Sequence, residues 1–195
     1  MSTNPPSTIL LVLGKETGPF ARGQYNQGLF DAAVETLSPS HTVLTTVIED
    51  GYDVAEEIAK YTQADAVIYQ YPVYWFMVPA SLKAYMDSVF QYGAFFTFKE
   101  GPYGNGGLMT GRRVMLSTTW NAPAEAFCDP STFFGGQTPA EALAPMRKAH
   151  AYCGFMELPH FFCHNVVKKP DFTADRARFV RHLRGVFGGA DAQAA

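Results

Sequence analysis

The sequence predicts an α/β protein built on a doubly wound, five-stranded parallel sheet, strand order 2-1-3-4-5, with helices on both faces. Three observations carry this expectation. Stretches of strand and helix character alternate strictly along the chain. Three of the strand candidates are near-continuous runs of Ile, Leu and Val, as in parallel strands covered on both sides. A length of 195 residues, 47% hydrophobic and 17% charged, suits one ordinary globular domain with a full-sized core.

The first strand candidate, Thr8–Gly14, is the apolar run Ile9–Leu13 stopped by glycine, and a helical pattern follows at Asn26–Leu37. Thr42–Ile48 and Val54–Tyr61 form the next strand and helix, then Ala66–Tyr71 reads as a strand buried on both faces. Pro79 suits a first helical turn, and Leu82, Tyr85, Met86 and Val89 then make an apolar face over Ala80–Phe90. Arg113–Thr119 is the fourth strand, Pro139–Cys153 a helix, Leu158–Val167 the fifth strand and Asp175–Phe187 the closing helix. Strand, helix, strand in succession requires right-handed crossovers. Five such units fit the flavodoxin-like order better than a longer dinucleotide fold. One domain is expected over residues 8–187, with disordered tails at 1–7 and 188–195.

Bulk properties exclude several functions. A net charge of −3 leaves no electrostatic footprint for nucleic acid, and Arg176, Arg178, Arg181 and Arg184 on the last helix read as a solvated face. No apolar run approaches the ~20 residues of a membrane helix. The opening Met1–Ser7 has no basic region and the apolar run after it is short, which reads against a signal peptide and for the cytoplasm. Cys128, Cys153 and Cys163 are odd in number and lack C-x-x-C spacing, so they read as free thiols in a reducing compartment. The five histidines fall in no metal-ligand pattern, and no bound metal is expected.

In such sheets ligands bind at the carboxyl ends of the strands, beside the switch in strand order. The loops after the first, third and fourth strands therefore matter. After the third comes Pro72-Val73-Tyr74-Trp75-Phe76-Met77-Val78-Pro79, with three consecutive aromatics between two prolines that stop helix and strand alike. Each large ring carries ~150–250 Å² of buriable area. Core, a partner subunit or a planar ligand must cover it. The chain's second tryptophan, Trp120, follows the fourth strand, so both tryptophans fall on the ligand edge.

The first loop, Gly14–Asn26, enters a helix whose free N–H groups suit phosphate, with Lys15, Arg22 and Gly23 in support; a glycine-containing turn with solvated charges is the alternative. Thr118–Pro123 offers successive amides to a heterocycle, or is a capped turn. The glycine-rich segment 101–111 carries Tyr103 as a closing residue, or is an inert connection. No Ser-His-Asp, Cys-His or paired-carboxylate arrangement emerges, so a cofactor would supply the chemistry.

Tyr71–Lys83 resembles the flavin loop and helix of the NAD(P)H:quinone oxidoreductases. Tyr103–Leu108, Leu116–Phe127 and Gly154–Pro159 resemble the modulator of drug activity B branch of that family. The resemblance runs from about Ile9 to Phe187. It implies a flavodoxin-like homodimer with one FAD per subunit at the interface. It also implies two-electron, ping-pong reduction of quinones by NADPH, in protection against oxidative stress, with flavin N5 carrying the hydride. Pro72, Val73, Tyr74 and Trp75 would hold the flavin ring, with Tyr103 a further contact. Thr119, Trp120, Asn121 and Ala122 would meet its N1 and O2 side. Ala21, Arg22, Gly23, Gln24, Tyr25, Asn26, Gln27 and Gly28 would bind the pyrophosphate. Relatives carry a hydroxyl residue at position 21, where this chain has alanine, so backbone amides and Arg22 would take over that contact. Phe76 and Trp120 are the candidates for stacking against substrate. The rival readings are a flavodoxin-type electron carrier, for which −3 is a mild charge, and a reductase of nitroaromatics, azo dyes or metal oxyanions.

Overall fold

The computed structural model of the chain describes residues 7–19 and 21–188. The tails expected at either end lie outside these residues except for Ser7 and Gly188. Ser7 O accepts from Thr42 N at 3.2 Å, and Gly188 N donates to Arg184 O at 2.8 Å.

The elements are β1 (Thr8–Leu13), α1 (Gln24–Leu37), β2 (Thr42–Val47), α2 (Val54–Gln63), β3 (Ala66–Pro72), α3 (Ala80–Val89), β4 (Arg113–Thr119), α4 (Pro139–Ala142), α5 (Ala144–Cys153), β5 (Met156–Glu157), β6 (Phe161–Cys163) and α6 (Phe172–Phe187). The sheet runs β2-β1-β3-β4-β5 and every pairing is parallel, with β6 also on β4. The expected order 2-1-3-4-5 is observed.

Side chains alternate across the strands, so each strand feeds two cores. Ile9, Leu11, Leu13, Ile68 and Met115 pack with Leu29 and Phe30 of α1 and Phe179 and Leu183 of α6. Leu10, Val12, Val67, Tyr69 and Leu116 face Tyr61 of α2, Leu82 and Tyr85 of α3 and Met146 of α5. Buried on the second face, the Glu57 carboxylate accepts from Thr46 Oγ1, Tyr85 OH and Lys60 Nζ at 2.7, 2.6 and 2.6 Å, which satisfies the charge.

Two elements depart from expectation. The helix expected over Pro139–Cys153 is two helices. Pro145 has no N–H to bond Glu141 O and its ring would crowd that carbonyl. Leu143 leaves helical geometry at φ −97°, ψ 22°. Of the fifth strand expected at Leu158–Val167 only β6 lies within that range, and β5 pairs with β4 just before it. Pro159 between them has no N–H for the ladder, and the His160 ring bridges the gap, its Nδ1 accepting from Leu116 N at 3.1 Å. Beyond Cys163 the backbone turns away, with Asn165 at φ 56°.

Candidate functional site

The loops after β1, β3 and β4 meet at the carboxyl edge of the sheet. After β3, pairing with β4 persists for one more bond, Val73 N to Thr119 O at 2.9 Å. The chain then reverses in a two-residue hairpin. Tyr74 and Met77 exchange both backbone bonds at 2.9 Å, and Trp75 and Phe76 between them sit at φ 50° and 65°. Positive φ at both central residues marks a type I′ turn, which Asn-Gly normally fills. For bulky side chains the left-handed region costs roughly 1–2 kcal/mol per residue. The ring of Trp75 is 91% exposed and Phe76 48% exposed, so the strain presents aromatic surface instead of burying it.

Opposite the turn lies the loop after β4. A cavity of about 320 Å³ is lined by Val73, Tyr74, Trp75, Phe76, Trp120, Asn121 and Ala122. This joins residues that the sequence reading took from two separate loops. Within the second loop, however, the roles differ from expectation. Trp120 is only 2% exposed. Its indole N–H donates to Thr118 Oγ1 at 2.8 Å, and its ring packs edge-on against Phe127 and Phe134. It backs the wall of the cavity with little of its ring exposed, unlike the open stacking face expected from the sequence. Its backbone N–H is bonded to Cys163 O at 2.8 Å, and Thr119 Oγ1 to Asn26. Around the cavity, the amides of Asn121 and Ala122, and of Trp75 and Phe76 across from them, make no backbone bond among the described residues. His164 fixes this loop from behind: its Nδ1 lies 3.3 Å from Ala122 O, and burial holds its imidazole below the usual range.

The loop after β1 is anchored by Lys15, whose ammonium bonds Glu49 Oε2 at 2.6 Å and Thr17 Oγ1 at 3.1 Å. The Lys15 stem lies beneath Gly23, where a Cβ would stand 2.6 Å from Lys15 Cδ. Gly23 also adopts φ 66° as the residue that opens α1, and no side chain among the described residues caps that end. Glycine is thus required twice at position 23. The first amides of α1 stay open, in the arrangement that suits an anion. Glu16 closes the other nearby helix end, its Oε1 accepting from Ser81 N of α3 at 2.9 Å.

The stretch Ala21–Gly28, expected to bind pyrophosphate as a unit, divides. Ala21, Arg22 and Gln24 are exposed beside Gly23. Tyr25 turns to α6, bonding Asp175 Oδ2 at 2.6 Å with its ring edge-on to Phe172; burial first and Asp175 second hold its phenol well above the usual range. Gln27 bonds Asp31, and Gly28 lies under Phe172, where a Cβ would come within 2.5 Å of the ring. Once α1 starts at Gln24, helical periodicity turns Tyr25 and Gly28 toward α6. Tyr25 and Gly28 therefore pack against α6, while Gln27 bonds along the surface of α1. Asn26 is buried and links Thr119 to Gln70.

Tyr103 is not among the residues that line the cavity. It stands 96% exposed beside Tyr152, in a second aromatic surface that includes Tyr92, Phe96 and Phe98. The glycine-rich segment that carries it is closely packed at its far end: a Cβ on Gly106 would overlap Thr97 O at 1.8 Å.

Sequence reasoning missed Phe133. Its ring is stacked on Phe76 at 5.4 Å and 25°, while Phe134 stacks on Phe127 at 4.0 Å. The signal was present in Phe133-Phe134-Gly135-Gly136, an aromatic pair beside two glycines that both adopt positive φ. Among the described residues no group of three or more His, Cys, Asp or Glu side chains is placed to hold a metal ion, and no helix is long and apolar enough to cross a membrane.

Known proteins share this fold. The family with the flavodoxin-like fold matches residues 8–185. The NADPH:quinone oxidoreductase MdaB of Haemophilus influenzae is 38% identical over 191 residues, 92% of this chain and 99% of that protein. A putative quinone reductase from Klebsiella pneumoniae superposes with a TM-score of 0.77 at 23% identity, covering 91% of this chain and 83% of its own. General stress protein 14 of Treponema denticola, solved in complex with FMN, superposes at 0.71 with 22% identity, covering 92% and 99%. The parallel sheet, its strand order and the match over nearly the whole length lead to one conclusion: this chain belongs to the flavodoxin-like fold family.

Proposed function

We propose that the protein is an FAD-dependent NADPH:quinone oxidoreductase that transfers two electrons at a time in a ping-pong cycle. The observation that carries this is the Tyr74–Met77 turn, which holds two aromatic residues in left-handed backbone at the edge of an open cavity. Strain of that kind persists where the surroundings over-determine it, and a planar ligand lying along Trp75 would give the exposed ring its cover. The 38% identity to a protein named NADPH:quinone oxidoreductase supports the same reading.

The residues present fit a flavin dinucleotide. The open amides of α1's first turn and Arg22 suit the pyrophosphate, and those of Asn121 and Ala122 suit the electron-rich edge of the ring. When bound, the flavin supplies the hydride chemistry that no side chain here provides. The chain's part is orientation. Phe76 forms the wall against which nicotinamide and quinone would lie in turn, and Phe134, packed on the buried Trp120 and Phe127, supports that wall from behind. No protein acid or base is assigned.

A second copy would complete the site. The surface formed by Tyr92, Phe98 and Tyr103 is apolar and exposed, and Tyr103 would then reach the cofactor across a homodimer interface instead of from its own chain. Cytoplasmic location accords with three unpaired cysteines.

The purified protein should be yellow, and heat-released flavin should run as FAD. A colourless protein that takes up no flavin would sink the proposal. Release of FMN, the ligand named for the Treponema protein, would favour the flavodoxin-type alternative. With NADPH and benzoquinone, double-reciprocal lines should be parallel; intersecting lines would exclude a single shared site.

A further inference from the structure

Beside the turn runs a second concavity of about 100 Å³. Its walls are Met77 and Val78 from the turn, Met86 of α3, and Pro145, Met146 and Ala149 of α5. Phe76 lines both this groove and the 320 Å³ cavity, so the two adjoin at one residue. We propose that the groove receives an aliphatic, prenyl-type side chain carried by the quinone, and that side-chain-bearing quinones are the substrate class of this site. This rests on the quinone reductase reading above.

The chemistry of the lining decides the occupant. Lys83 is the single polar residue on the groove, and its ammonium is paired with Asp87 at 2.5 Å on the outer face of α3. Nothing else there donates, accepts or carries charge, so a polar or charged substituent would lose its hydration without replacement. Three of the lining residues, Met77, Met86 and Met146, are unbranched and adapt to a chain of variable shape. The notch exists because Pro145 breaks the helix opposite the turn, and the left-handed backbone at Phe76 sets the ring at the junction. A quinone lying on Phe76 could then extend a substituent across that ring into the groove.

The test compares two benzoquinones with the same ring, one bearing a methyl group and the other a single prenyl chain at the same position. With the flavin-loaded protein and NADPH, kcat/KM should favour the prenyl compound on the order of tenfold, as apolar pockets discriminate by added methylenes. Without NADPH, dissociation constants read from the perturbed visible spectrum should differ in the same direction and to the same extent. Ala149→Phe, which places a ring in the groove, should bring both ratios toward one. Equal values for the two compounds with wild-type protein would overturn the groove assignment while leaving quinone reduction intact. Reduction of neither would instead overturn the functional reading itself. If Ala149→Phe changes the sedimenting mass and lowers both substrates alike, the groove is a contact between subunits and the proposal fails.

Discussion

Asn26 Nδ2 donates to Thr119 Oγ1 at 3.0 Å, joining the first turn of α1 to the end of β4 across 93 residues. The bond ends a buried chain in which Ser117 Oγ donates to Gln70 Oε1 at 2.6 Å and Gln70 Nε2 to Asn26 Oδ1 at 2.8 Å. The two loops that would hold opposite ends of a dinucleotide are thus fixed to one another beneath the cavity. Asn26→Leu keeps the shape and removes both functions. It would leave Gln70 and Thr119 with buried unmet groups, at about 1–3 kcal/mol each. The expected outcome is a lower urea midpoint for the apoprotein together with a weaker flavin dissociation constant. Thr119→Val, which strands only one donor, should do less of both. A variant as stable as wild type would show that the network does not couple the loops.

Trp75→Gly should stabilise the apoprotein. Relief of the left-handed backbone returns roughly 1–2 kcal/mol, and the added freedom of glycine in the unfolded chain takes back about 0.5–1 kcal/mol. Little packing is lost, because the ring is almost wholly exposed. The same change should weaken flavin binding, since the covering surface has gone. Phe76→Gly should gain less, because Phe76 packs on Phe133 and Phe134. Thermal unfolding of the apo variants and flavin titration separate the two effects. A destabilised Trp75→Gly would mean the turn is held by the indole.

The sheet was legible because Ile9–Leu13, Ala66–Tyr69 and Val114–Leu116 are short apolar runs, as expected of strands covered on both faces. The edge loops followed from topology. Pro145 and Pro159 were equally visible, yet each lies within a run whose hydrophobic pattern continues past it, and the pattern masks the break. The turn at Trp75 and Phe76 carried no such mark, since its geometry ordinarily announces itself as Asn-Gly. Roles within Ala21–Gly28 depended on which residue began α1, and a shift of two positions decides which side chains face inward. The burial of Trp120 depends on Phe127 and Phe134, whose loop conformation no local pattern fixes.

Phe76 and Trp120 should therefore respond differently to truncation. Trp120→Ala empties a core site, at about 3–5 kcal/mol, and leaves Thr118 Oγ1 without its donor. It should lower the unfolding midpoint sharply, with flavin loss as a consequence of instability. Phe76→Ala removes a half-exposed ring and should cost far less stability. It should raise KM for quinone several-fold with flavin content unchanged. Urea unfolding and steady-state kinetics on the same preparations check the contrast. A Phe76→Ala protein with wild-type KM would remove that ring from the substrate wall.

His150 makes the fold sensitive to acid. The ring is fully buried among Tyr69, Phe90 and Phe155, with Nδ1 donating to Met146 O at 2.8 Å and Nε2 without a partner. Burial pushes its pKa down from 6.5 to about 4. Because the folded value lies below the unfolded one, the unfolded chain binds the extra proton first, and stability falls as pH drops from about 6.5 towards 4. At 1.36 kcal/mol per unit the full loss is about 3 kcal/mol. His160 and His164 are lowered by burial as well and add to the loss with the same sign. His150→Phe, which fits an aromatic cage, should make the fall between pH 6.5 and 4 shallower by about one proton. Urea midpoints measured across that range give the slope, and identical slopes for variant and wild type would show that another group sets the acid limit.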